Sequence, residues 1–187
     1  VDVTIGNGAG CTVTSPGLIK SKQYRIINAS FRDDISSDKH YVPIKSVDEQ
    51  VALTRADACG ELAVCDGRLV SASVRFESIA TSGTSFDLTM GVETNTVGSS
   101  YANFDGGGET EAVTVTTSND QDLVHFVFDE AKHWDATDMF AVSIQSSEDH
   151  WGTNERFFVT LVIEDDWSTF LGGVREGVSS SIITSTP

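Results

Sequence analysis

Two near-mirror triplets, His133-Trp134-Asp135 and Asp149-His150-Trp151, are the residues best equipped for chemistry in this sequence. Each sets an imidazole, an indole and a carboxylate side by side, between stretches of strand-like alternation. One use is an aromatic and acidic platform for a sugar or a partner, with Trp134 or Trp151 stacking on the ligand and His133 and His150 beside them. The alternative is structural: each Trp closes one end of a hydrophobic core.

Acidic clusters offer a second chemistry. Asp33-Asp34, Asp105 with Glu109 and Glu111, Asp135 with Asp138, Glu148-Asp149 and Glu164-Asp165-Asp166 carry the oxygens that calcium takes, about six to eight at a time. None matches an EF-hand loop. A chain with 28 acidic residues forms such clusters by chance, so no metal and no cofactor is expected. Carboxylate pairs for glycoside hydrolysis can be drawn from the same residues, but no spacing singles one out. There is no Gly-x-Ser-x-Gly elbow, no phosphate-binding Gly-x-x-x-x-Gly-Lys loop and no His-Glu-x-x-His pair. The expectation is a protein without catalytic residues. An enzyme of carbohydrate chemistry would instead show a cleft holding a carboxylate of raised pKa.

Bulk properties narrow the partners. The chain has 187 residues and a net charge of −16. Phosphate binding needs clustered Lys and Arg, and the basic residues here are scattered, so no nucleic acid is expected. An acidic surface keeps copies apart and suits saline surroundings, where the repulsion is screened. No stretch approaches the ~20 apolar residues of a membrane helix, and no signal peptide opens the sequence. Cys11, Cys59 and Cys65 are too few and too odd in number for a disulfide framework. A Cys59–Cys65 bridge across a short loop and unbridged thiols both remain open.

The elements that must position these groups are strands. Alternation of apolar and polar residues marks Ser71 to Ile79, Ser85 to Val92, Leu123 to Phe128, Phe140 to Ile144 and Phe157 to Ile163. Tyr24 to Phe31, His40 to Ile44 and Gln50 to Thr54 are further candidates. The Phe157 run is apolar in both phases, which predicts a strand that is central or covered on both faces. His125 lies in the polar phase of its strand, so a surface or interface setting is expected. Turn residues separate the runs at Asp66-Gly67, Thr81-Ser82-Gly83, Asp105 to Gly108, Ser118-Asn119-Asp120 and Trp151-Gly152. One helical turn is expected over Asp129 to Asp135. About eight or nine strands at this spacing predict an all-β, antiparallel sandwich, jelly roll or barrel.

The organisation expected is a sandwich domain over 23–166 between an N-terminal arm, 1–22, and a C-terminal arm, 167–187. Both arms are rich in Gly, Ser and Thr yet carry apolar residues able to dock: Val3, Ile5, Leu18 and Ile19 in the first, Trp167, Phe170, Leu171, Ile182 and Ile183 in the second. The bland alternative is frayed termini.

Four segments together resemble a known pattern: Tyr41-Val42-Pro43-Ile44, Asp66 to Arg75, Trp134 to Ile144 and Phe158 to Glu164. They are similar to a β-rich domain of virion structural proteins of tailed phages, particularly phages of marine bacteria and cyanobacteria. The resemblance covers roughly 39–165. It departs at Thr137-Asp138, where the family pattern has a Gly-Asp turn. What it implies is a jelly-roll-like sandwich on the virion, often a trimer, with no catalytic residue to carry over. The family includes decoration, tail-fibre and other structural proteins. The leading expectation is a capsid decoration or cement protein that contacts the major capsid protein or tail components. The alternative is a tail-fibre or receptor-binding module that holds a surface glycan through Trp134, Trp151 and nearby carboxylates.

Overall fold

The computed structural model describes residues 22–45, 59–77, 85–96, 104, 109–116, 123–129, 133–147 and 155–169. Among them are nine strands: β1 (Lys22–Asp33), β2 (His40–Tyr41), β3 (Glu61–Leu62), β4 (Asp66–Phe76), β5 (Ser85–Asn95), β6 (Thr110–Thr116), β7 (Leu123–Val127), β8 (Met139–Ser146) and β9 (Glu155–Asp166). A 3₁₀ turn, Trp167–Thr169, follows β9. One sheet has the order β1-β9-β4-β7; the other has β2-β8-β5-β6, with β3 beside β8.

The pairings β1 with β9, β2 with β8, β4 with β7 and β5 with β6 are those of one long hairpin doubled back between β5 and β6. The further pairs β4–β9 and β5–β8 roll that ribbon into two facing antiparallel sheets. This is a jelly-roll sandwich, as the fold-class expectation has it. Alternation explains why it closes. Phe31, Phe157 and Phe76 stand in one cross-strand row, all fully buried, and Phe31 stacks on Phe157 at 5.4 Å. From the other sheet Leu88, Met90, Val92, Phe140, Val142 and Ile144 complete the core. A period of two puts one phase of every strand inside.

The structure corrects several details. Asp66-Gly67 is not a turn; it opens β4. Gly67 is required because Trp134 covers it: a Cβ there would lie 2.6 Å from the indole nitrogen. The N–H groups of His133 and Trp134 both donate to Gly67 O, which makes Trp134 a bridge to β4. Residues 133–135 are therefore extended, not helical as expected; 130–132 of that segment lie outside the described residues. β9 is central in its sheet, the first of the two settings expected for it, and its outer face is open: Phe158 is exposed. β6 and the two-residue β3 had no clear signature in the sequence. The Gln50 to Thr54 candidate and the expected turns at 81–83, 105–108, 118–120 and 151–152 lie outside the described residues. So do 1–21 and 170–187, and with them the docking residues Val3, Ile5, Leu18, Ile19, Phe170, Leu171, Ile182 and Ile183.

Thr137 holds a positive φ, 88°. It is the third residue of a turn that Asp138 N–H closes by donating to Asp135 O. A turn with positive φ at this place favours glycine, and the resembled pattern has glycine there. A β-branched side chain in this conformation costs about 1–2 kcal/mol. Thr137→Gly is expected to raise stability by about 1 kcal/mol, the strain relief exceeding the added chain entropy. A urea titration checks it; a destabilised variant would mean the threonine side chain contributes more than its strain costs.

Candidate contact surface and buried polar clusters

The sites expected from sequence turn inward. Trp134 is 2% exposed and stacks face to face on Phe140, with centroids 4.0 Å apart. His133 is 4% exposed. Neither offers a ring face to a ligand, so these two do not form the sugar platform; Trp134 closes the core. The burial follows from the bridge to Gly67, which draws the segment onto β4. His150 and Trp151 lie outside the described residues.

His133 is one of three groups, with Glu109 and Asp129, whose ligand atoms lie within 4.8 Å of one another. The hydrogen bonds decide what the cluster can do. Leu69 N–H donates to His133 Nδ1 at 2.9 Å, so the ring proton sits on Nε2 and faces Glu109 Oε2 at 3.2 Å. Asp129 N–H donates to the same carboxylate oxygen. A metal on Nε2 would force a proton onto Nδ1, against the Leu69 N–H. The residues therefore do not fit a metal. They tie β4 to the start of β6, and burial lowers the His133 pKa while Glu109 opposes that shift.

Other acidic groups among the described residues are engaged within the chain; Asp105 and the Glu148-Asp149 pair lie outside the described residues. Glu164 on β9 accepts from Arg68 Nε at 3.2 Å and Nη2 at 3.3 Å, from Lys22 Nζ at 2.8 Å and from Tyr24 Oη at 2.8 Å. The Arg68 hydrogen bonds hold its carboxyl down at about 2 against the cost of burial. Asp33 meets His40 Nδ1 at 2.7 Å. Asp138 accepts from the N–H of Asp135. Glu93, buried on β5, is matched by Lys39 Nζ at 2.6 Å.

A cleft of about 210 Å³ lies beside Trp134, lined by Arg25, Glu61, Leu62, Cys65, Phe140, Asp165 and Trp167 among others. Burial raises the pKa of Asp165, with Arg25 opposing. That is the mark set out above for an enzyme. Yet Arg25 donates to both carboxylates, to Glu61 at 2.6 Å and to Asp165 at 3.2 Å. Both are held in one ion triad, and the cleft is smaller than the ~300–1,000 Å³ of ordinary ligand pockets. Cys65 and Cys59 are both buried and not bridged to each other; burial pushes the Cys65 thiol up to about 11.

The surface that sequence reasoning missed is the outer face of β1-β9-β4-β7. The register sets three rows across it: Ile26, Val162, Ser71, Val127; then Asn28, Thr160, Ser73, His125; then Ser30, Phe158, Arg75, Leu123. Ile26 is 66% exposed, Leu123 65%, Val127 63% and Phe158 46%. The middle row is hydrogen-bonded within itself: Thr160 Oγ1 donates to Asn28 Oδ1 at 2.8 Å, and Ser73 Oγ lies 2.9 Å from His125 Nδ1. His125 thus has the surface setting expected of it. The three rows hold no carboxylate. The signal was present in the sequence as apolar residues in both phases of a strand, at Ile26-Ile27, Phe126-Val127 and Phe157-Phe158.

No protein-family model matches the sequence, and no curated protein matches it. Solved structures with similarity include a chain of the cyanophage Pam1 capsid asymmetric unit, at 13% identity and TM-score 0.28, covering 87% of this chain and 99% of that one. A chain of turnip yellow mosaic virus is similar at 13% identity and TM-score 0.25, covering 78% of this chain and 94% of that one.

Proposed function

We propose that this chain is a non-enzymatic structural component of a virus particle, a capsid decoration or cement protein that stabilises the shell through protein–protein contacts. The observation that carries the reading is the open outer face of β1-β9-β4-β7, with exposed Ile26, Val127, Phe158 and Leu123 and no carboxylate over three rows. Jelly rolls serve as viral capsid and lectin domains and as cupins; that is analogy by fold, and residues must choose among them. A cupin needs an accessible site inside the roll, but here five phenylalanines, Phe31, Phe76, Phe126, Phe140 and Phe157, fill it. Of the two tryptophans named for a sugar platform, Trp134 is covered and Trp151 lies outside the described residues. The exposed outer face favours the contact role, and the four segments similar to phage virion proteins agree with it.

In this reading the arms expected over 1–22 and 167–187 dock on the major capsid protein or on tail components through Val3, Ile5, Leu18, Ile19, Phe170, Leu171, Ile182 and Ile183; Lys22 itself belongs to β1, and Trp167 lines the cleft beside Trp134. A standard interface buries about 1,600 Å², and repetition on a lattice multiplies weak contacts. The test is co-sedimentation of the purified chain with particles stripped of it. The full chain is expected to bind in fixed stoichiometry and each arm deletion to remain folded but unbound. Full-length chain that stays in the supernatant would refute the virion role; binding by both deletions would refute the arms.

A further inference from the structure

We propose that the outer face of β1-β9-β4-β7 is where a second copy of this chain docks, face to face; this rests on reading that face as a contact surface. The argument is one of charge. Each chain carries −16, so two copies repel wherever their acidic surfaces meet. A carboxylate buried at such an interface without a partner would be strongly unfavourable. Across the three rows of this face the only formal charge is Arg75, in a chain with 28 carboxylates and 12 Lys and Arg. The three rows are thus an area over which two copies can meet without opposing acids; the carboxylate in the adjoining row beyond Ile26, Glu164, is already paired with Arg68 and Lys22. A basic partner would be matched by the acidic surface instead.

The chemistry of the rows is self-complementary. The outer rows offer Ile26, Val162 and Val127 on one side and Phe158 and Leu123 on the other. The middle row carries groups that both donate and accept: Asn28, Thr160, Ser73 and His125. At ordinary strand and residue spacings the three rows cover about 400 Å². A stable interface takes about 800 Å² from each partner. The rows supply the apolar centre of such an interface, and its rim extends beyond them.

The experiment is sedimentation equilibrium of the full chain, compared with Ile26→Glu and Val127→Glu. Both positions are exposed, so the variants are expected to melt as the wild type does. Ser85→Glu, at an exposed position on β5 of the other sheet, is the control. The wild type should associate reversibly, and more strongly as salt is raised, because screening removes repulsion between acidic bodies. Each face variant should weaken association at least about tenfold, or 1.4 kcal/mol, and Ser85→Glu should not. A wild type monomeric up to about 1 mM, or association unchanged by both face variants, overturns the proposal. Association weakened by salt overturns it as well, since that marks pairing of opposite charges. These outcomes are read on purified chain alone, so they stand or fall separately from particle binding.

Discussion

Replacing Trp134 by alanine is expected to lower stability by about 4 kcal/mol and the melting temperature by about 10 °C. The indole is fully buried against Phe140 and over Gly67. Its backbone pairs with Gly67 on β4, so it joins the connection before β8 to the opposite sheet. Removing it empties that end of the core. The same substitution at an exposed sugar platform would fall within about 0.5 kcal/mol, so denaturant unfolding separates the two readings of this residue. Trp134→Phe is expected to retain most of the stability. A Trp134→Ala variant as stable as the wild type would return the tryptophan to the surface.

Arg68→Met is expected to cost about 3 kcal/mol at neutral pH. Arg68 and Glu164 are both buried, and Arg68 also donates to the carbonyl of Asp129 at 2.8 Å. The variant leaves the buried Glu164 carboxylate with Lys22 and Tyr24, two residues that are themselves largely exposed. The pH dependence follows from the Glu164 pKa, about 2 in the folded chain against an ordinary 4.5. A carboxylate depressed by folding stabilises fully above its unfolded pKa and loses that contribution as the pH falls to its folded value. The wild type should therefore lose stability between pH 4.5 and about 2 through this group. In Arg68→Met that loss should be smaller, and the gap between the two proteins should narrow as the pH falls. Melting curves from pH 7 down to pH 2.5 check this; parallel curves would mean that Arg68 acts by packing alone.

Strands were legible in the sequence because burial of one face repeats every second residue, as Val124, Phe126 and Phe128 or Phe157, Val159, Leu161 and Ile163 show. Strand pairing was not, because alternation says which face is inside and nothing of which strand lies alongside. β6 was obscured because Thr110 to Thr116 carries a charge, Glu111, in the inward phase it shares with Val113 and Val115, and an apolar Ala112 in the outward one. Gly67 looked like a turn because a glycine that admits a tryptophan and one that admits a tight bend read alike. The orientation of His133 and Trp134 was not legible, since an aromatic between strands serves equally to cap a core or to face solvent; of the two readings the sequence left open, the structure shows the core cap. The departure from glycine at Thr137 was visible beforehand, and its consequence is a strained turn. The contact face was hidden by the habit of assigning every apolar residue to the core, although Ile26, Val127 and Phe158 sit in the outward phase.

Thiol labelling tests most directly whether this molecule works by contact through that face. Asn28→Cys places a thiol in the middle row, and Ser85→Cys places one on the opposite sheet; both positions are exposed. With Cys11 replaced by serine, the remaining Cys59 and Cys65 are buried and react slowly. Both introduced thiols are expected to react fast at high dilution, and only the one at position 28 to become protected as the chain assembles. Equal reactivity of the two in the dilute and the assembled state would contradict the account.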